Sequence, residues 1–145
     1  MLKKTVDIIL PVYNSKKYIL TTINSIIKQS FKLWNLIIID DCSNDGTYEI
    51  LKNIQKKYKK SNKIFLYRHN KNRGQAEARN LGLTKAKSTF IAFVDSDDFW
   101  TKNKLRNQIK FMKNNNYNFT YSDYIAFRNK DRKSTRLNSS HVKRS

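Results

Sequence analysis

The sequence predicts an α/β fold, a mostly parallel sheet with helices on both faces. Three observations carry this. Short β-branched runs alternate with amphipathic helical stretches four times along the chain, the pattern of right-handed βαβ units. The chain has 145 residues, 39% of them hydrophobic, enough for one core and too few for a second large domain. Three of the four clear strand runs end in polar or acidic clusters, and open parallel sheets bind ligands outside the carboxyl ends of their strands.

The elements follow in order. Thr5 to Pro11 reads as a buried strand. Asn14 and Ser15 are good N-cap residues for a helix carrying Tyr18, Ile19, Thr22, Ile23, Ile26 and Ile27 at helical spacing. Leu33 to Ile39 is the second strand; it runs into Asp40-Asp41 and a Cys-Ser-Asn-Asp-Gly turn. A helix from Thr47 to Tyr58 places Ile50, Leu51 and Ile54 on one face. Ile64 to Tyr67 is a third strand, Gly74 to Ala86 a helix and Phe90 to Val94 a fourth strand. After Asp95-Ser96-Asp97-Asp98 comes a helix from Lys102 to Lys113, with Leu105, Ile109 and Met112 inward, and Phe119 to Tyr121 is a candidate fifth strand.

Composition sets the bounds. With Gly and Pro at only four positions, collagenous and Pro-rich chains are excluded. No apolar run approaches the ~20 residues of a membrane helix, and the start of the chain lacks the pattern of a signal peptide. A cytoplasmic location is therefore expected. Cys42 is alone, so neither an intramolecular disulfide nor a Cys-based zinc cluster can form. The net charge is +19, with Lys at 22 positions, Arg at 8 and Asn at 17. Such a surface suits an anionic membrane face or nucleic acid, or is simply solvated.

The acids are more informative than the bases. Asp40, Asp41, Asp45, Asp95, Asp97 and Asp98 gather in or beside two strand ends, where carboxylates repel unless a cation, donor groups or water compensates. Mn²⁺ or Mg²⁺ with oxygen ligands would serve, a substrate diphosphate completing the shell. In an extended segment Asp95 and Asp97 would point to one side and Ser96 away. The bland alternative makes these acids helix caps and turn formers. Neither a Gly-x-Gly-x-x-Gly nor a Gly-x-x-x-x-Gly-Lys-Ser/Thr fingerprint occurs, so phosphate would be held through the metal. The only histidines are His69 and His141, which gives no Ser/His/Asp arrangement, and His69 reads as a solvated loop residue.

Four segments, taken in order, resemble a known family: Val6-Asp7-Ile8-Ile9-Leu10-Pro11-Val12-Tyr13-Asn14; Ile39-Asp40-Asp41-Cys42-Ser43-Asn44-Asp45-Gly46-Thr47; Asn72-Arg73-Gly74 with Ala78-Arg79-Asn80 and Gly82; and Phe93-Val94-Asp95-Ser96-Asp97-Asp98 with Trp100. Together they look like the family 2 glycosyltransferases of the Rossmann-like GT-A fold, over roughly residues 4 to 127. The resemblance implies an inverting transferase that uses a nucleotide-diphosphate sugar, most often with UDP, in bacterial surface polysaccharide assembly. Its acceptor would be a saccharide or a lipid-linked one, with a possible peripheral contact at the inner membrane face. By the same resemblance Pro11 and Tyr13 line the nucleotide pocket, and Asp41 accepts a hydrogen bond from the base. Asp95 lies by the ribose and diphosphate, and Asp97, with Asp95, forms the metal site of the DxD motif. Arg79 stands near the diphosphate or pairs with Asp95 as a strut. The family's general base belongs to a carboxyl-terminal half that this truncated chain is expected to lack, so no catalytic base is assigned; Asp123 does not match it.

From Asp131 the composition changes. Residues 131–141, Asp-Arg-Lys-Ser-Thr-Arg-Leu-Asn-Ser-Ser-His, look residue for residue like the conceptual translation of a common sequencing-library adapter. The expected organisation is a nucleotide-sugar-binding part over 1–130 and a non-native or disordered tail over 131–145. Two other functions compete. A receiver-like signalling domain would need its acidic pair after the first strand, and here it follows the second. A basic nucleic-acid-binding module is disfavoured by acids clustered where the ligand belongs and by the absence of a reader motif.

Overall fold

The computed structural model describes residues 5–123, with the backbone alone for 125–128 and 131–136. The chain divides into two units, Met1–Lys102 and Asn103–Ser145. In the first, the order is β1 (Val6–Val12), α1 (Ile19–Ile27), β2 (Trp34–Asp40), α2 (Thr47–Lys57), a single 3-10 turn at Lys59–Ser61, β3 (Ile64–Arg68), α3 (Gln75–Lys85) and β4 (Phe90–Phe93). The strands form one parallel sheet in the order β3-β2-β1-β4.

The order explains the sequence. β1 and β2 are central and covered on both faces, so they read as nearly continuous apolar runs; the edge strands β3 and β4 are only half-buried. β1, β2 and β3 step across the sheet in one direction, and β4 returns to the far side of β1. With right-handed crossovers, α1 and α2 fall on one face and α3 on the other. On the α3 face, Ala78 packs with Ile9, Ile37 and Ile39, joined by Phe65, Tyr67 and Leu81. Side chains alternate along a strand, so Ile8, Leu10, Leu36 and Ile38 face the other way; all four are fully buried, as are Ile19, Ile23 and Ile26 of α1 and Leu51 of α2. The reversal between β1 and β4 is a topological switch point, the place where such sheets hold ligands.

One sequence expectation is corrected at the start of α1. Asn14 and Ser15 do not cap α1, which begins after Tyr18 with no side-chain cap. Asn14 instead takes a left-handed backbone (φ 45), and both residues are drawn into contacts with the loop after β2.

In the second unit α4 (Lys104–Asn115) buries Leu105 and Ile109. It starts two residues later than expected because the carbonyls of Thr101 and Lys102 are already taken, by Gln29 and the Ser30 amide. Asn116 ends it in the left-handed conformation (φ 55) that Asn tolerates, with the Tyr117 amide closing back on the Met112 carbonyl. Phe119 to Tyr121 is not a strand: Phe119 is 72% and Tyr121 51% exposed, and the two rings lie against each other. The strands of this unit are β5 (Ile125–Arg128) and β6 (Asp131–Arg136), an antiparallel pair. Among the described residues no helix is long and apolar enough to cross a membrane.

Candidate functional site

At the carboxyl ends of β1 and β2 the chain builds a cavity of ≈ 350 Å³, lined by Pro11, Val12, Tyr13, Asp41 and Ser96 with Asn72, Gly74, Gln75 and Ala78 from the start of α3. It lies at the switch point. Tyr13 presents a ring that is 47% exposed, while Asp41 is 2% exposed.

The wall carrying Tyr13 is held by two loops running side by side. The Asn14 amide donates to Ser43 Oγ, the Asn44 amide to Asn14 Oδ1, the Ser15 amide to Thr47 Oγ1 and the Lys16 amide to Asp45 Oδ2. Asp45 Oδ1 also accepts from the Thr47 amide, so this acid is a turn former, as the bland alternative has it. Burial raises its carboxyl, and the bonds from Thr47 and Lys16 outweigh that and hold it low.

Asp40 is wholly buried and structural. Its Oδ2 meets Arg68 Nε at 3.0 Å and accepts from the Ser43 amide, and the Arg68 guanidinium stacks 4.0 Å over the Tyr48 ring. Asp41 turns the other way, toward the cavity. Its Oδ1 accepts from His69 Nδ1 (2.7 Å) and the Arg73 amide (2.9 Å), its Oδ2 from the Gly74 amide (2.7 Å). Burial raises the Asp41 carboxyl, but these three donors together keep it below the ordinary carboxylate range. His69 is thus not the solvated loop residue that the sequence suggests: its side chain is only 11% exposed and is tied to a site carboxylate.

A second missed residue is Asp7, near the start of the apolar strand β1. It accepts from Asn35 Nδ2, the Lys87 and Ser88 amides and Ser88 Oγ, anchoring the turn before β4. Burial again works to raise its carboxyl, and these bonds hold it down.

Beyond β4, the Asp98 amide closes on the Asp95 carbonyl, so Ser96 and Asp97 form a turn. The expectation of an extended Asp95-Ser96-Asp97 with both acids on one side is corrected accordingly. The turn is stitched to α1: Thr22 Oγ1 donates to the Ser96 carbonyl, the Trp100 amide to Ser25 Oγ, Gln29 Nε2 to the Thr101 carbonyl and the Ser30 amide to the Lys102 carbonyl. Thr22, a polar interruption of α1, and Gln29, just past its end, are buried where they make these bonds. Asp95 Oδ1 accepts from Arg79 Nη2 (2.6 Å) and Gln75 Nε2 (2.9 Å), so Arg79 stands as the strut. Asp97 is exposed and takes no hydrogen bond from a described residue.

Five of the six acids therefore sort themselves. Asp40 and Asp45 are consumed by structure and Asp41 faces the cavity, while Asp95 Oδ2 and the Asp97 carboxylate keep oxygens to offer. Two carboxylates on one turn, with room for phosphate and water oxygens, suit a hard divalent cation such as Mg²⁺ or Mn²⁺. Among the described residues no group of three or more His, Cys, Asp or Glu comes together, so a metal here would need oxygens from its ligand.

An open parallel sheet with a cavity and free carboxylates at its reversal point is the arrangement of an α/β ligand-binding domain. Comparison with known proteins names the family. Residues 7–144 match the model of glycosyl transferase family 2, and the chain belongs to that family. It is 40% identical over 122 residues to TuaG of Bacillus subtilis (strain 168), a glycosyltransferase named for teichuronic acid biosynthesis, covering 84% of this chain and 47% of TuaG. It is 41% identical over 119 residues to WfaP of Escherichia coli, a UDP-Glc:α-D-GlcNAc-diphosphoundecaprenol β-1,3-glucosyltransferase, covering 82% of this chain and 45% of WfaP. The solved structure of Staphylococcus aureus TarS 1–349 in complex with UDP-GlcNAc superposes with a TM-score of 0.68 at 34% identity, over 76% of this chain and 31% of that one. The chain thus spans less than half the length of the proteins it matches here.

Proposed function

We propose that this chain is the donor-binding part of an enzyme that moves a sugar from a nucleotide-diphosphate sugar, with UDP as the nucleotide, to an acceptor hydroxyl with inversion. The observation that carries the reading is Asp41, a buried carboxylate on the wall of a cavity rimmed by Pro11, Tyr13 and Ser96, the last lying between Asp95 and Asp97 in the chain. Tyr13 offers its ring to the base and Asp41 an acceptor. Asp95, oriented by Arg79 and Gln75, and Asp97 hold the diphosphate end. Asp97 with Asp95 would hold Mn²⁺ or Mg²⁺, which neutralises charge on the departing diphosphate when bound.

The names of the relatives support a UDP donor and a lipid-linked saccharide acceptor in cell-surface polymer synthesis. The basic surface favours a peripheral seat on an anionic membrane, at its cytoplasmic face. In this reading residues 1–130 are the nucleotide-sugar-binding part of a longer domain and residues 131–145 are a non-native tail, on the strength of the adapter match.

Calorimetry with UDP, with and without Mn²⁺, tests the reading. Metal-dependent UDP binding, abolished by Asp97→Ala in a protein with an unchanged circular dichroism spectrum, is expected. Salt-sensitive binding to DNA with no response to UDP would overturn it in favour of a nucleic-acid module.

A further inference from the structure

We propose that His69 is a specificity-determining positioning residue: by occupying Asp41 Oδ1 it restricts the pocket to bases that present a single N–H between two carbonyls, uracil or thymine, against guanine. The inference rests on the nucleotide-binding reading of the cavity.

A carboxylate offers about four lone-pair directions. At Asp41, His69 Nδ1 and the Arg73 amide take both on Oδ1, and the Gly74 amide takes one on Oδ2. One acceptor position remains, on a residue that lines the cavity and is 2% exposed, so water competes poorly for it. The imide edge of uracil or thymine brings one donor, N3–H, and satisfies that position. Guanine brings two adjacent donors, N1–H and the 2-amino group, which a carboxylate matches only with both oxygens free. Cytosine brings a bare N3 that repels the carboxylate. Of the three protein donors two are backbone amides, present whatever the side chain; His69 alone is set by residue choice. Its role also fixes its tautomer, with the proton on Nδ1.

The test uses the 145-residue chain and titrates UDP and GDP in the presence of Mn²⁺. The wild type is expected to bind UDP at least about tenfold more tightly than GDP, and His69→Ala to reduce that ratio by about tenfold. His69→Gln, whose amide N–H can replace Nδ1–H, is expected to keep most of it. A folded His69→Ala protein with the wild-type ratio would overturn the role of His69 while leaving nucleotide binding in place. A wild type that binds neither nucleotide removes the parent reading and this one together. Nitrogen-15 NMR of the wild-type imidazole gives a readout independent of any variant's folding. A proton on Nδ1 is expected, and a bare Nδ1 beside Asp41 sinks the proposal.

Discussion

Arg79 Nη2 lies 2.6 Å from Asp95 Oδ1, so one charge pair joins α3 to the turn leaving β4. Both side chains are more than a third exposed, and such pairs contribute no more than about 1 kcal/mol to stability. Their value lies in aim, since the bond turns Asp95 Oδ1 toward the helix and leaves Oδ2 free. Arg79→Ala is expected to shift the melting temperature little and to weaken Mn²⁺-dependent UDP binding by about tenfold. Calorimetry and a thermal melt on one sample check this; unchanged affinity would show that Asp95 needs no strut.

Gly82 seats α3 on the sheet. A Cβ there would sit 2.5 Å from Ile9 Cγ2 and 2.9 Å from Ile39 Cδ1. Gly82→Ala gains up to about 1 kcal/mol of helix propensity but meets an overpacking cost of about 1–3 kcal/mol. Net destabilisation in urea is expected. Combined with Ile9→Ala, it should cost less than the sum of the two single changes, because the second removes the methyl the first strikes.

Acid should unfold the protein through identifiable groups. Hydrogen-bond donors hold the carboxyls of Asp7, Asp41 and Asp45 below the ordinary carboxylate range in the folded chain, against burial that works to raise them. A carboxylate depressed in this way contributes stability that is complete above its unfolded value and is lost as pH falls through the folded one. The denaturation midpoint is thus expected to be flat above about pH 5 and to fall with acidification below the ordinary carboxylate value. Asp7→Asn should lower stability at pH 7, where it leaves the Lys87 and Ser88 amides poorly matched, and flatten the acid limb. A limb of unchanged slope would move the effect elsewhere.

The segment after Lys130 has its own test. Sequencing the locus from intact genomic DNA is expected to give a reading frame that departs from the present one near Asp131. An uninterrupted frame encoding the same Asp-Arg-Lys-Ser-Thr-Arg run would establish it as native.

Much of the fold was legible because its signals are local. Ile8 to Leu10 and Leu36 to Ile39 are apolar over too short a length for anything but buried strands; Asp40 and Asp41 stand where the second of them stops, and Asp95 follows the Phe90 to Val94 run in the same way. What separates the acids from one another is not local. Asp41 is distinguished from Asp40 by donors at His69, Arg73 and Gly74, brought to it by the next βα connection. No periodicity in the sequence pairs position 69 with position 41. Phe119 to Tyr121 misled for the converse reason: three residues with two aromatics look like a strand by composition, yet no ladder receives them.

The reversal of the sheet between β1 and β4 divides labour across the pocket. Tyr13, Asp41 and His69 hang from strands on one side of the break, Asp95 and Asp97 from the strand on the other, and α3 is the bridge between them. In the proposed reading, readout of the base and grip on the diphosphate are thereby mounted on separate pieces of scaffold. A lineage can retune one by changing a residue such as His69 and leave the other undisturbed, so a single framework can take on new donors by small local edits.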